Sequence, residues 1–194
     1  MRVKIEKSKA VGTAVAPPSK SIAHRLLIAC ALASGKSEVK GISASEDMLA
    51  TLDCIKALGV DAQKDGDVVR IRANAKAKNC ECESSVFNDA KSVSKEAIFD
   101  CRESGSTLRF FIPVASVFCD ECEFVGSKRL LERGVGIYEK TLGENGVSVQ
   151  SQKDEIVVSG RLKSGTYTLD GNVSAVNTVP GLCLRFRCLT GTAK

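Results

Sequence analysis

Three observations predict an α/β fold assembled from duplicated units. Short stretches of period-two alternation take turns with stretches that carry an apolar residue every three or four positions. Glycine, proline and serine stand at the boundaries between them. The run Leu58-Gly59-Val60-Asp61-Ala62-Gln63-Lys64-Asp65 with Val68-Val69 is echoed by Asn145-Gly146-Val147-Ser148-Val149-Gln150, then Lys153-Asp154 and Val157-Val158. An echo at that spacing is what repeated supersecondary units leave in a chain.

Each element has its own signal. Arg2 to Lys7 and Val11 to Val15 alternate as strands, and Pro17-Pro18 stops the second. Ser19 is placed to cap a helix whose apolar face holds Ile22, Ala23, Leu26, Leu27, Cys30 and Ala31, with Gly35 at its end. A strand near Ser37 to Lys40 precedes a helix over Glu46 to Leu58, striped by Met48, Leu49, Leu52, Ile55 and Leu58. Gly59 closes that helix, and strands follow at Val60 to Gln63 and Val68 to Arg72. The polar run Ala73 to Lys95 reads as loop and edge structure. The order then repeats. A strand over Ala97 to Cys101 leads to a helix from Ser106 to Phe118, a strand at Cys122 to Val125 and a helix at Gly136 to Leu142. Strands at Val147 to Gln150 and Ile156 to Val158 close the second unit. A third unit opens at Tyr167-Thr168-Leu169 and is left incomplete.

The 194 residues suit one medium domain, and 43% apolar with 26% charged suits a folded chain rather than a disordered one. Aromatics are 5% with no Trp, so the core must be aliphatic. No run approaches the roughly 18 apolar residues of a membrane span. The opening MRVKIEKSKA lacks the apolar core of a secretory signal, so a cytoplasmic location is expected. The net charge of +5 favours an anionic small ligand without implying nucleic acid. The nine cysteines are expected reduced. Cys80-x-Cys82 and Cys119-x-x-Cys122 are two close pairs, but they lie far apart in sequence and the one histidine, His24, is near neither. Packing therefore explains them better than zinc, and Cys30, Cys54 and Cys101 sit among apolar residues.

Three junctions carry chemistry. Pro17-Pro18-Ser19-Lys20-Ser21-Ile22-Ala23-His24-Arg25 lies at a helix N-terminus, where unbonded N–H groups and the macrodipole favour an anion. Lys20 adds a mobile positive charge. Ser21 and Arg25, four residues apart, share a helix face that can hold phosphate or carboxylate. The plainer reading is a capped helix with solvated charges. Glu103-Ser104-Gly105-Ser106-Thr107-Leu108-Arg109 sits at a second strand-to-helix junction. Gly105 admits close approach to the backbone there, and Arg109 lies one turn beyond Ser106. An ordinary N-cap explains this stretch too. The third junction is Lys128-Arg129 with Glu132-Arg133. Three such corners on duplicated units can converge on one strongly anionic molecule.

At these residues the sequence resembles the 5-enolpyruvylshikimate-3-phosphate (EPSP) synthase family. The resemblance runs from about residue 1 to Ser174. It rests on Pro18-Ser19-Lys20-Ser21 with Arg25, on Glu103 to Arg109, on Arg129 with Glu132-Arg133, and on Gly171-Asn172-Val173-Ser174. It implies an enolpyruvyl transferase lobe of repeated βαβαββ units, without metal or organic cofactor. It also implies transfer of the enolpyruvyl group of phosphoenolpyruvate to the 5-hydroxyl of shikimate 3-phosphate, with release of phosphate. Lys20 would touch both substrates. Ser21, Arg25 and Ser174 would hold shikimate 3-phosphate, and Gly105 and Arg129 phosphoenolpyruvate, with Arg109 in support. A related transferase of a UDP-aminosugar and a non-catalytic remnant that binds shikimate 3-phosphate are the alternatives. The first two motifs favour the shikimate member.

Two departures from the family pattern carry expectations of their own. The family has two lobes with the site between them, and this chain is expected to provide an incomplete first lobe over 14–174. Residues 1–13 would belong with a missing second lobe, which supplies the acidic proton-transfer residue and for which a separately encoded partner chain is the expectation. The family's Ser-Ser-Gln stands here as Ser174-Ala175-Val176, and Leu184-Arg185-Phe186-Arg187-Cys188 puts charges into an apolar helix stripe. Residues 175–194 are therefore expected to be an aberrant or divergent tail, read out of phase after Ser174.

Overall fold

The periodicities translate into seven strands and five helices among the described residues. The computed structural model describes residues 3–4, 9, 11–73, 97–163 and 167. The order is α1 (Lys20–Leu32), β1 (Gly35–Val39), α2 (Glu46–Ala57), β2 (Asp61–Asp65) and β3 (Val68–Ala73). It continues with β4 (Ala97–Asp100), α3 (Gly105–Phe118), β5 (Glu121–Val125), α4 (Lys128–Leu131), α5 (Gly136–Gly143), β6 (Ser148–Ser151) and β7 (Glu155–Ser159).

Two sheets result, ordered β1-β3-β2 and β4-β5-β7-β6, antiparallel except for the parallel pair β4–β5. Strand alternation sends one face inward. On β3 Val69, Ile71 and Ala73 are buried while Arg70 and Arg72 face water. Arg70 pairs there with Glu38 across the β1–β3 ladder, 3.1 Å away. The second sheet buries Phe99, Cys122, Phe124, Val149, Ile156 and Val158. Phe99 stacks on Phe124 with centroids 4.9 Å apart.

Helices α1, α2 and α3 pack on one another and on both sheets: α1 on β3, α2 on β2 and β4, α3 on β5 and β7. A helix in such a place is apolar all round, and Phe110 through Ser116 of α3 are buried without a break. Cys54, Cys101, Cys119 and Cys122 are buried among these contacts as small apolar groups.

The duplication is visible in local geometry. After α2, Gly59 at φ +79° lets the Val60 N–H bond Ile55 O; after α5, Gly146 at φ +81° lets Val147 N–H bond Leu142 O. Only glycine enters that conformation cheaply, so both helices end in the same Gly-Val and turn into the same hairpin. Thus α1-β1-α2-β2-β3 parallels α3-β5-α5-β6-β7.

Two expectations are corrected. Val11 to Val15 is not a strand, although the equivalent β4 is. Gly12 interrupts it at φ +130°, and Val11 and Val15 stand 92% and 95% exposed, with no strand paired to them among the described residues. The Arg2 to Lys7 strand falls mostly outside the described residues; Val3 and Lys4 are in none. Helix α1 is also rotated from its predicted face. It buries Ala23, His24, Leu27, Ile28 and Ala31 and leaves Ile22 and Leu26 60% and 45% exposed. The cause is His24, whose ring has a buried partner on α2. The segment Ala73 to Lys95 lies outside the described residues after β3, as does the start of the third unit except Tyr167.

Candidate functional site

The N-termini of α1, α2 and α3 meet because three hydroxyls and one imidazole join them inside the protein. His24 Nδ1 lies 2.7 Å from Thr51 Oγ1, Thr51 Oγ1 lies 2.8 Å from Thr107 Oγ1, and Thr107 Oγ1 lies 2.7 Å from Ser104 Oγ. All four residues are buried. One proton arrangement satisfies the set. His24 N–H donates to Thr51 Oγ1 and Thr51 O–H to Thr107 Oγ1, with Asp47 O, 3.0 Å away, as a second acceptor for the same hydroxyl. Thr107 O–H then donates to Ser104 Oγ, which also accepts the Thr107 N–H at 3.2 Å.

His24 is neutral near pH 7 in this setting. Its pKa is pushed down to about 4, chiefly because burial penalises the imidazolium. Asp47 opposes the shift, and Lys20 and Arg25 add to it.

The predicted site residues gather around this chain. Ser19 caps α1 and accepts the Ile22 N–H, which leaves Lys20 in the first turn, where its ammonium pairs with the Asp47 carboxylate at the start of α2. Ser21 and Arg25 share a face as expected, but the guanidinium bonds Ser21 O at 2.7 Å and lies 5.1 Å over the Phe110 ring of α3. Ser104 caps α3, so Gly105 opens the helix. A Cβ on Gly105 would stand 2.8 Å from Arg109 Nη1, 3.4 Å from Arg133 Nη1 and 3.7 Å from Leu130 Cδ1. Two guanidinium groups therefore converge above the glycine. Arg109 is steadied there by Gly105 O at 3.2 Å.

Helix α4 is held against this corner through its cap. Ser127 N–H bonds Arg102 O at 2.7 Å, and a Cβ on Gly126 would meet that same carbonyl at 2.7 Å. Arg102, at φ +50°, is tied in turn to Glu46 and Asp53 of α2 at 2.6 and 2.7 Å. Arg129 is exposed, next to the Leu130 that packs by Gly105. Ser174 lies outside the described residues. Lys20, Ser21 and Arg25 on α1, Gly105 and Arg109 on α3, and the α4 that carries Arg129 thus belong to one network of contacts.

Sequence reasoning named neither Asp47, Thr51 nor Thr107 as partners of these groups, and it left Arg133 within a basic cluster. Acidic Glu46-Asp47 in a first helical turn is a legible capping signal, but its lysine partner is long-range.

Such a corner, with helix starts and cations gathered in one α/β lobe, has the chemistry that suits small, multiply charged anions. The comparisons name the family. The EPSP synthase model, described as 3-phosphoshikimate 1-carboxyvinyltransferase, matches residues 5–180, and the chain belongs to that family. The chain is 35% identical over 195 residues to the 3-phosphoshikimate 1-carboxyvinyltransferase of Clostridium beijerinckii, and 34% over 194 residues to that of Clostridium kluyveri. Each alignment takes in 99% of this chain, the segment after Ser174 included, and 42% of the relative, so the chain spans about two fifths of their length. An EPSP synthase structure from Acinetobacter baumannii shares the fold at TM-score 0.67 and 23% identity, over 89% of this chain and 38% of that one.

Three outcomes follow from this geometry. Gly105→Ala meets most closely the movable ends of Arg109 and Arg133, so urea unfolding should change by less than about 0.5 kcal/mol. Gly126→Ala meets backbone and should cost about 1–3 kcal/mol in the same assay. His24 binds its proton more weakly folded than unfolded, so its contribution is complete above about pH 6.5 and is lost as pH falls toward 4. Urea titrations at pH 7 and 4.5 should show a loss of up to about 3 kcal/mol from this group, absent in His24→Asn. Equal pH slopes in the two proteins would contradict it.

Proposed function

We propose that this corner binds the substrates of enolpyruvyl transfer. The chain then forms part of an enzyme that moves the enolpyruvyl group of phosphoenolpyruvate to the 5-hydroxyl of shikimate 3-phosphate and releases phosphate. The observation that carries the reading is the convergence of Arg109 and Arg133 above Gly105, beside the starts of α1 and α3. Both substrates carry phosphate and carboxylate, so bringing them together costs mutual repulsion that fixed cations must offset.

In this reading Lys20 leaves Asp47 to touch both substrates. Ser21 and Arg25 hold shikimate 3-phosphate, together with Ser174. Gly105 and Arg129 hold phosphoenolpyruvate, with Arg109 and Arg133 in support. Attack by the 5-hydroxyl on the enol carbon forms one C–O bond, and loss of phosphate breaks the other. Protons must leave the hydroxyl and pass to and from the vinyl carbon. His24 is turned into its buried chain and does not serve that role. We assign the proton transfer to a second lobe outside the matched span, with residues 14–174 as the first lobe. The exposed Val11 and Val15 support a place for residues 1–13 against that second lobe. A cytoplasmic location fits the substrates, and no helix among the described residues is long and apolar enough to cross a membrane.

Calorimetric titration of the 194-residue chain tests this reading. Shikimate 3-phosphate should bind at least about tenfold more tightly than shikimate, and Lys20→Met should remove most of that margin. Equal affinity for the two ligands, or no effect of Lys20→Met, would contradict it. Phosphate release from both substrates by this chain alone would contradict the need for a second lobe.

A further inference from the structure

Helix α3 has a proline inside it, at Pro113. Proline has no N–H, and its ring crowds the carbonyl four residues back. That carbonyl is Arg109 O, in the turn that also carries Gly105. A buried carbonyl without a donor costs about 1–3 kcal/mol, so a substitute is required. It comes from another helix: Tyr138 of α5 donates its hydroxyl to Arg109 O at 2.9 Å. Tyr138 is 2% exposed, which fixes its ring in place.

Tyr138 stands on the helix that follows α4, so it belongs to the segment bearing Arg129 and Arg133. Its bond ends on the backbone of Arg109, whose guanidinium shares the space above Gly105 with Arg133. We infer that Tyr138 is a positioning residue: by replacing the amide that Pro113 lacks, it sets the spacing between the two cationic halves of the anion corner. The inference rests on the reading that this corner binds phosphoenolpyruvate, which it deepens. Proline leaves an acceptor that a side chain of the opposite half fills, whereas an amide at 113 would close the helix without reference to α5.

The test uses four 194-residue chains: wild type, Tyr138→Phe, Pro113→Ala and the double variant. Two readouts are taken, amide hydrogen exchange at Leu108 and Arg109, and titration with phosphoenolpyruvate. Tyr138→Phe should speed exchange at both amides, and weaken phosphoenolpyruvate, by about fivefold, the worth of one net hydrogen bond. Exchange in β5 and β7 should be unchanged. With Pro113→Ala the new N–H reaches Arg109 O, and adding Tyr138→Phe should then change exchange and affinity by less than about twofold. Exchange at Leu108 and Arg109 unaffected by Tyr138→Phe, or the same loss in both backgrounds, would overturn the inference. If wild type fails to bind phosphoenolpyruvate, the functional reading falls, and the exchange cycle still decides whether Tyr138 replaces the missing amide.

Discussion

The structure depends on a buried row of hydrogen bonds, His24–Thr51–Thr107–Ser104, that crosses from α1 through α2 to the start of α3. Three helix ends brought together bring unbonded amides and aligned dipoles together, which is unfavourable unless something polar holds them. Here the hydroxyls bond one another in sequence and the imidazole is neutral, so the row holds without a buried charge. Apolar packing alone would fix the helices side by side without fixing their ends in register. The row supplies that register, and it does so from residues that face away from solvent.

Everything cationic at the corner is arranged around this fixed frame. Asp47 lends its carbonyl to the row and its carboxylate to Lys20, so one residue sets both the frame and the resting place of the lysine. Arg25 lies on Phe110 of α3, and Arg102 spans from the β4–α3 turn to α2 while its carbonyl receives α4. The cations are thus held by neighbours that differ from any ligand, an arrangement that reduces the ordering cost when an anion arrives. Glycine leaves room at two places for different partners: Gly105 for guanidinium groups, and Gly126 for a backbone carbonyl.

Much of this was legible in the sequence. The echo around Gly59 and Gly146 marked the duplicated units because the helix-ending conformation demands glycine at equivalent places. The caps Ser19 and Ser104 marked where helices start and therefore where anions are favoured. What was not legible depends on distant partners. The face of α1 was misjudged by one residue because hydrophobicity ignores His24, while Thr51 draws its ring inward. Val11 to Val15 alternated like a strand, yet alternation provides no partner for the backbone. Helix α4 is four residues long, too short to show a period. Tyr138 is one aromatic among several until Pro113 is known to lie within reach.

The central claim is that α1, α3 and α4 present one anion site rather than three. Amide chemical-shift mapping of the chain titrated with phosphoenolpyruvate and shikimate 3-phosphate addresses it most directly. The account predicts that the amides of Lys20 and Ser21, of Gly105 and Ser106, and of Lys128 and Arg129 respond together along a single saturation curve. Response confined to one of these helices, or separate curves for each, would contradict it.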